Sequence, residues 1–172
     1  MNLNISNIDN DLYLHDSYFN NVYNNNIIHI SSISQNTNEV NNLINQYIDC
    51  CIGTNGSHYD ISLTIYEILK NKYRYSGNKL WDYYDNTDNT WKNDEKNQRL
   101  KYDIRNVVSN NFVIRSVYWE NKSTENNINI NISNDHKLRS ARLLQCSFKL
   151  KDDKFILTII KEARQLFIKN DK

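Results

Sequence analysis

The sequence predicts a mainly α-helical (α+β) domain with one β-hairpin, preceded by an irregular or short-stranded N-terminal arm. Three observations lead to this class. Apolar residues recur at helical spacing in separate stretches after residue 37. An aromatic-rich segment at 79–93 is broken near its middle by turn-forming residues. Residues 1–36 are low in complexity and hold no comparable helical period. The 172 residues suit a core-bearing domain at 37–172 plus this arm.

Taken in order, the arm offers Tyr13, Tyr18, Phe19, Tyr23 and the run IIHISSIS (27–34) as material for short strands. A first helix follows, with Thr37 as its cap. Its apolar face is Val40, Leu43, Ile44, Tyr47, Ile48 and Cys51, and Gly53 is the stop. Ser57 and Asp60 form an S-x-x-D start signal for a second helix, which buries Ile61, Ile65, Ile68 and Leu69 and is expected to reach about Tyr73. The hairpin pairs Lys79–Tyr84 (KLWDYY) with Trp91–Asn93 across the turn DNTDNT. A third helix begins at Asp94 or Glu95, with Leu100, Ile104, Val107, Val108 and Asn111 on one side. FVIRSVYW (112–119) fits both periods, and continuation of the helix is favoured. The stretch 121–135 reads as a polar loop, with alternation at Ile128, Ile130 and Ile132 allowing a short edge strand. Two helices close the chain. One spans about His136–Cys146, with Leu138, Ala141 and Leu144 inward. The other spans about Asp152–Ile168, with acids at its start and Lys169 at its end in agreement with the helix dipole.

Composition narrows the function classes. There is no proline and only three glycines, which excludes a polyproline ligand, a Gly/Ser linker and a G-x-x-x-x-G-K-[ST] phosphate loop. The 31 asparagines and 21 isoleucines against two alanines suggest a very AT-rich genome. The N-terminus MNLNISNIDNDLYLHD has no basic or apolar signal character, and no twenty-residue apolar run occurs, so an intracellular protein without a membrane span is expected. The three cysteines form neither a disulfide ladder nor a C-x-x-C knuckle. Asp9/Asp11, Asp82/Asp85 and Asp152/Asp153 have no converging partners, and no serine or cysteine has an evident base. No catalytic residue, metal or cofactor is therefore assigned.

Charge is divided along the chain. Residues 1–69 hold seven acids and no Lys or Arg, whereas 70–172 hold all 21 bases and 13 acids. Such asymmetry fits a basic domain that meets a polyanion, or an acidic arm that neutralises it in cis. Bases interleave with aromatics between Lys70 and Arg105. Lys72, Arg74, Lys79, Lys92, Arg99 and Arg105 are candidates for phosphates, with Tyr84 and Trp91 for stacking under bases. The plain alternative places Trp81, Tyr83 and Trp91 in the hairpin core with lysines solvating its outside.

The stretch HYDISLTIYEILKNKYRYSGNKLWDYYDNTDNTWKND (58–94), and LRSARLLQCSFKLKDDKFILTIIKEARQLFI (138–168), resemble the region preceding the superfamily-three helicase in poxvirus and giant-virus primase–helicases. The resemblance covers about residues 57–170 and rests on spacing and aromatics; it includes neither a primase domain nor a Walker motif. It implies a non-catalytic viral DNA-replication module. Such a module would bind single-stranded or duplex DNA, sister subunits in a homo-oligomer, or a helicase or primase partner. The alternative expectation is a viral structural or protein-interaction protein, such as a virion component or host adaptor, with no nucleic-acid role.

Overall fold

In the computed structural model, residues 38–77, 79–125 and 129–168 are described; all lie in the second of two units into which the chain divides, Asn38–Lys172. The expected arm, its strands, the Asp9/Asp11 pair, the Thr37 cap, Ile128 and Lys169 fall outside the described residues. The described part is mainly helical with a small antiparallel sheet.

Helix α1 (Asn38–Gly53) buries Ile48, Cys51 and Ile52 and leans Ile44 on the core. Leu43, expected on that face, sits at its margin and is exposed. The S-x-x-D signal forms as written: Asp60 N donates to Ser57 Oγ at 3.2 Å, and the Ser57 and Thr54 hydroxyls donate to Asp60 Oδ2 at 2.6 Å. This caps α2 (His58–Leu69). Gly56, just before the cap, has φ +70°, and a Cβ there would lie 2.6 Å from Cys146 Sγ. Only glycine meets both the backbone angle and that close approach.

Helix α2 stops at Leu69 and not near Tyr73, because the segment from Tyr73 is claimed by a sheet. The strands β1 (Tyr73–Gly77), β2 (Leu80–Asp85) and β3 (Thr90–Asn93) form an antiparallel meander in that order. The expected hairpin is β2–β3, and β1 joins it through Tyr73–Tyr83 and Tyr75–Trp81 pairs. Burial of the Tyr73 ring in the core favours this pairing over another helical turn. In the DNTDNT turn, Asp85 accepts from Thr87 N at 3.0 Å and Asp88 from Thr90 N at 3.2 Å, the Asx geometry that those residues favour.

Trp81 is the centre of the sheet's inner face. Its ring meets Tyr75 at 5.4 Å and Phe167 at 5.0 Å, and Phe167 meets Tyr66 of α2 at 5.0 Å, all edge-on. Phe167 reaches this place because the last helix (Asp153–Ala163) ends five residues before Ile168. The chain then turns beside β1, where Phe167 O accepts from Tyr75 N at 2.8 Å and Ile168 makes a parallel bridge to Tyr75.

After β3, the Asp94 carboxylate accepts the N–H groups of Arg99 and Leu100, each at 2.9 Å, and so starts the third helix. That helix is a continuous run: α3 (Gln98–Asp103), a π turn (Ile104–Val108) and α4 (Ser109–Glu125). The favoured continuation through 112–119 is what the structure has. Four of its buried apolar residues, Leu100, Ile104, Val108 and Phe112, are spaced by four, and Val113 flanks the last. An α-helix turns in 3.6 residues, so that spacing overshoots by ~40° per step. The wider π turn takes up the drift, which leaves Val107 exposed and Asn111 only half-buried, contrary to expectation.

The polar loop expected over 121–135 is largely helix. Helix α4 runs to Glu125, and α5 (Ile130–Lys149) begins where the Asn129 side chain accepts from Ile132 N at 3.3 Å. Ile130 and Ile132 are therefore exposed first-turn residues and form no edge strand, and the helix expected at 136–146 is longer at both ends. Leu138 faces out, while Leu143, Leu144 and Cys146 face in. The last helix is α6 (Asp153–Ala163).

Helices α4 and α5 pack through a seven-residue serine repeat: Ser109, Ser116 and Ser123 on one, Ser133, Ser140 and Ser147 on the other, all buried. A seven-residue period keeps one seam between two coiling helices, and small side chains there let the axes approach. The hydroxyls of Ser116, Ser123 and Ser147 donate to carbonyls three residues back at 2.6–2.7 Å, and Ser133 Oγ donates across to Ser123 O at 2.9 Å. Asp49 of α1 ties this pair to the rest, accepting from Arg115 Nε at 3.0 Å and Trp119 Nε1 at 2.9 Å.

Two outcomes are expected in urea unfolding. Ser116→Ala shifts stability by less than about 1 kcal/mol, because the lost bond is a local one. Ser116→Leu destabilises by about 1–3 kcal/mol through overpacking. Equal effects would show that the seam is not tight.

Candidate nucleic-acid interface

Cross-strand pairing decides which residues of the sheet meet. Arg74, Asp82 and Asn93 are paired in register, as are Tyr84 and Trp91, and these share the outer face. There the Arg74 guanidinium lies 4.5 Å over the Trp91 ring, and Tyr84 meets Trp91 edge-on at 5.2 Å. Trp91 is 36% exposed, unlike Trp81 on the opposite face. The plain alternative thus holds for Trp81 and Tyr83, which are core, and fails for Trp91. Arg74 Nε also donates to Asp82 Oδ2 at 3.0 Å, which fixes the guanidinium against the ring.

Beside this stack runs a groove of about 260 Å³, walled by Tyr66, Lys70, Arg74, Trp91 and Phe167 among others. Lys70, which sequence reading did not single out, pairs with Glu67 at the groove's side; its interleaving with Tyr73 and Arg74 in K-N-K-Y-R was the available signal.

The other candidates are dispersed. Lys92 points to the opposite face, at the hairpin tip, and lies 2.7 Å from both Asp85 and Asp88. Hydrogen bonds from Lys92, then from Thr87 and Thr90 respectively, hold both carboxyls below their ordinary range, and the two acids raise Lys92. Arg105 pairs with Asp153 of α6. Lys79 occupies the β1–β2 turn at φ +65°, its N–H donating to Tyr75 Oη at 3.0 Å. Lys72 binds Asp103 at 2.6 Å, and Arg99 stacks 4.1 Å over Tyr83. Tyr73 Oη donates to the buried Asp103 at 2.7 Å; burial, then that bond, push its hydroxyl well above the ordinary range, so it stays a donor. The structure thus brings Arg74, Tyr84 and Trp91 together, places Lys72 and Arg99 around one further cleft, and sets Lys79, Lys92 and Arg105 apart.

Among the described residues, no group of three or more histidines, cysteines or acids could hold a metal ion, and no helix is long and apolar enough to cross a membrane. At the turn Gly53–Ser57, Ser57 caps the N-terminus of α2 by accepting from Asp60 N, and the Asp60 carboxylate stands in the first turn. The thiols differ: Cys50 is exposed, burial pushes Cys51 up to about 12, and burial raises Cys146. No protein-family model matches this sequence, and no curated protein matches it.

One thiol, Cys50, is expected to react quickly with a disulfide reagent in the native state, with Cys51 and Cys146 reacting only after denaturation. Equal rates for all three would contradict the burial. At the hairpin tip, Asp85 and Asp88 have lowered folded-state values. Their stabilisation is therefore complete above the unfolded carboxylate value of about 3.9 and fades as pH falls through the folded values. The raised Lys92 acts oppositely, its share lasting until pH rises through the folded lysine value. Amide shifts of Thr87 and Thr90 followed by NMR are expected to titrate below about pH 3.9. A midpoint at the ordinary value would refute the pairing.

Proposed function

We propose that the domain is a non-catalytic nucleic-acid-binding module that holds single-stranded DNA on the outer face of its sheet. The observation that carries this reading is the exposed Trp91, flanked by Arg74 and Tyr84 and opening on a groove that also holds Lys70. Base faces stack on such rings whatever their sequence, while adjacent cations follow the phosphates. With Arg74 already pinned by Asp82, the stack is ordered before a strand arrives, which lowers the entropy lost on binding.

Within that reading, the resemblance of residues 57–170 to the region before the helicase in viral primase–helicases makes a DNA-replication module the proposed setting. Its further partners would be sister subunits or a helicase or primase. A second reading, a viral structural or protein-interaction protein, is favoured by a different observation. Lys72, Arg74, Lys92 and Arg105 all hold carboxylates of the domain itself, so much of its positive charge is spent internally.

Fluorescence anisotropy with a labelled single-stranded oligonucleotide at two salt concentrations separates the two. Binding is expected to weaken with salt, with a log–log slope of about −0.7 per phosphate contacted. Trp91→Ala is expected to weaken it about tenfold. Absence of binding at low salt, with a stable oligomer by light scattering, would favour the structural reading. Binding that ignores Trp91→Ala would remove the sheet face from the account.

A further inference from the structure

We propose that the cleft beside α3 is a nucleoside-phosphate site, in which Arg99 and Lys72 take the phosphate and Tyr102 stacks on the base. It uses residues other than the Arg74–Trp91 stack and so goes beyond the strand-binding reading. The cleft measures about 370 Å³ and is walled by Lys72, Tyr73, Gln98, Arg99, Tyr102 and Asp103. That volume lies within the range of sites for small organic ligands.

The lining dictates the ligand's chemistry. Arg99 Cζ sits 4.1 Å over the centroid of the Tyr83 ring, and its guanidinium has no carboxylate partner among the described residues. A guanidinium stacked in this way keeps its in-plane N–H donors for an anion, and phosphate matches their fork. Lys72 is held at 2.6 Å by Asp103, which also accepts from Tyr73 Oη; its ammonium has three donors and Asp103 needs one. Asp103 therefore positions Lys72, and its own charge is shared by two donors. The nearby buried Asp94 is turned to the Arg99 and Leu100 N–H groups at the start of α3. Two cations lining one cleft disfavour a metal ion or a cationic ligand, and an uncharged apolar ligand would desolvate them without recompense.

The helix that carries Arg99 also presents an aromatic group, Tyr102, three residues on. Tyr102 is 64% exposed, so its ring is open to a planar partner. Gln98 adds an amide able to donate and accept at the edge of such a ring. A planar heterocycle joined to a phosphate satisfies all of these groups together. The nucleotide could be free or part of a strand, and the chemistry is the same in both cases.

The test is isothermal titration of the full chain with a nucleoside monophosphate, the matching nucleoside and inorganic phosphate. The monophosphate is expected to bind about tenfold more tightly than either fragment, and Arg99→Gln and Tyr102→Ala each to weaken it about tenfold. Both side chains lie at the surface of the cleft; should Arg99→Gln alter the circular dichroism spectrum, Tyr102→Ala decides. Displacement of bound monophosphate by an unlabelled strand would support the site and identify a strand as its source. Retention in the presence of saturating strand would support it as a free-nucleotide site. No binding at millimolar monophosphate, or equal binding by wild type and both variants, would overturn it. That failure is distinct from failure of the sheet face, which is read from strand binding by Trp91→Ala.

Discussion

The burial of Trp81 is the constraint on which the candidate interface depends. Once that ring is wedged between Tyr75 and Phe167, with Phe167 against Tyr66, the inner face of the sheet is fixed on α2 and on the segment after α6. Strand alternation then leaves Arg74, Tyr84 and Trp91 no choice but the other face. A one-residue slip would bury Arg74 and Asp82 in place of Tyr73 and Trp81. The exposed stack is therefore a consequence of core packing, and its order comes from the same contacts that stabilise the domain.

Much of this was legible in the residues. The helix starts at Ser57 and Asp152 carry their own capping chemistry, and DNTDNT carries its own turn, so both were placed by local rules alone. Tyr73–Gly77 was missed because Y-R-Y fits the end of a helix as well as a strand, and only the distant partners Trp81 and Tyr83 decide between them. The α4–α5 seam was missed for another reason. Its repeat is written in serine, which reads as loop-forming among asparagines, although what the packing uses is its small size. For the interface, the alternation of bases and aromatics was visible, and the ion pairs were not. Arg105 finds Asp153, and Lys72 finds Asp103, across tens of residues.

Those pairs also change the meaning of the charge division along the chain. The basic part does not present its surplus as one open field, because several of its cations are held by acids of the domain, Lys72, Arg74, Lys92 and Arg105 among them. A polyanion approaching this surface meets local patches where a cation lies over a ring: Arg74, also held by Asp82, on Trp91 and Arg99 on Tyr83. Recognition by such patches leans on stacking geometry as much as on Coulomb attraction, which is suited to strands with their bases unpaired.

The π turn at Ile104–Val108 sits between the part of the long helix that lines the cleft and the part that carries the serine seam. At unchanged length, an unbroken α-helix over Leu100 to Phe112 would turn these buried residues ~120° out of line, ~40° for each of three steps. The wider turn is thus what lets the cleft-lining part and the serine-bearing part of one helix share a single core face. It acts as a phase marker: a variant that straightened it without changing the length would keep one of the two surfaces and turn the other out of place.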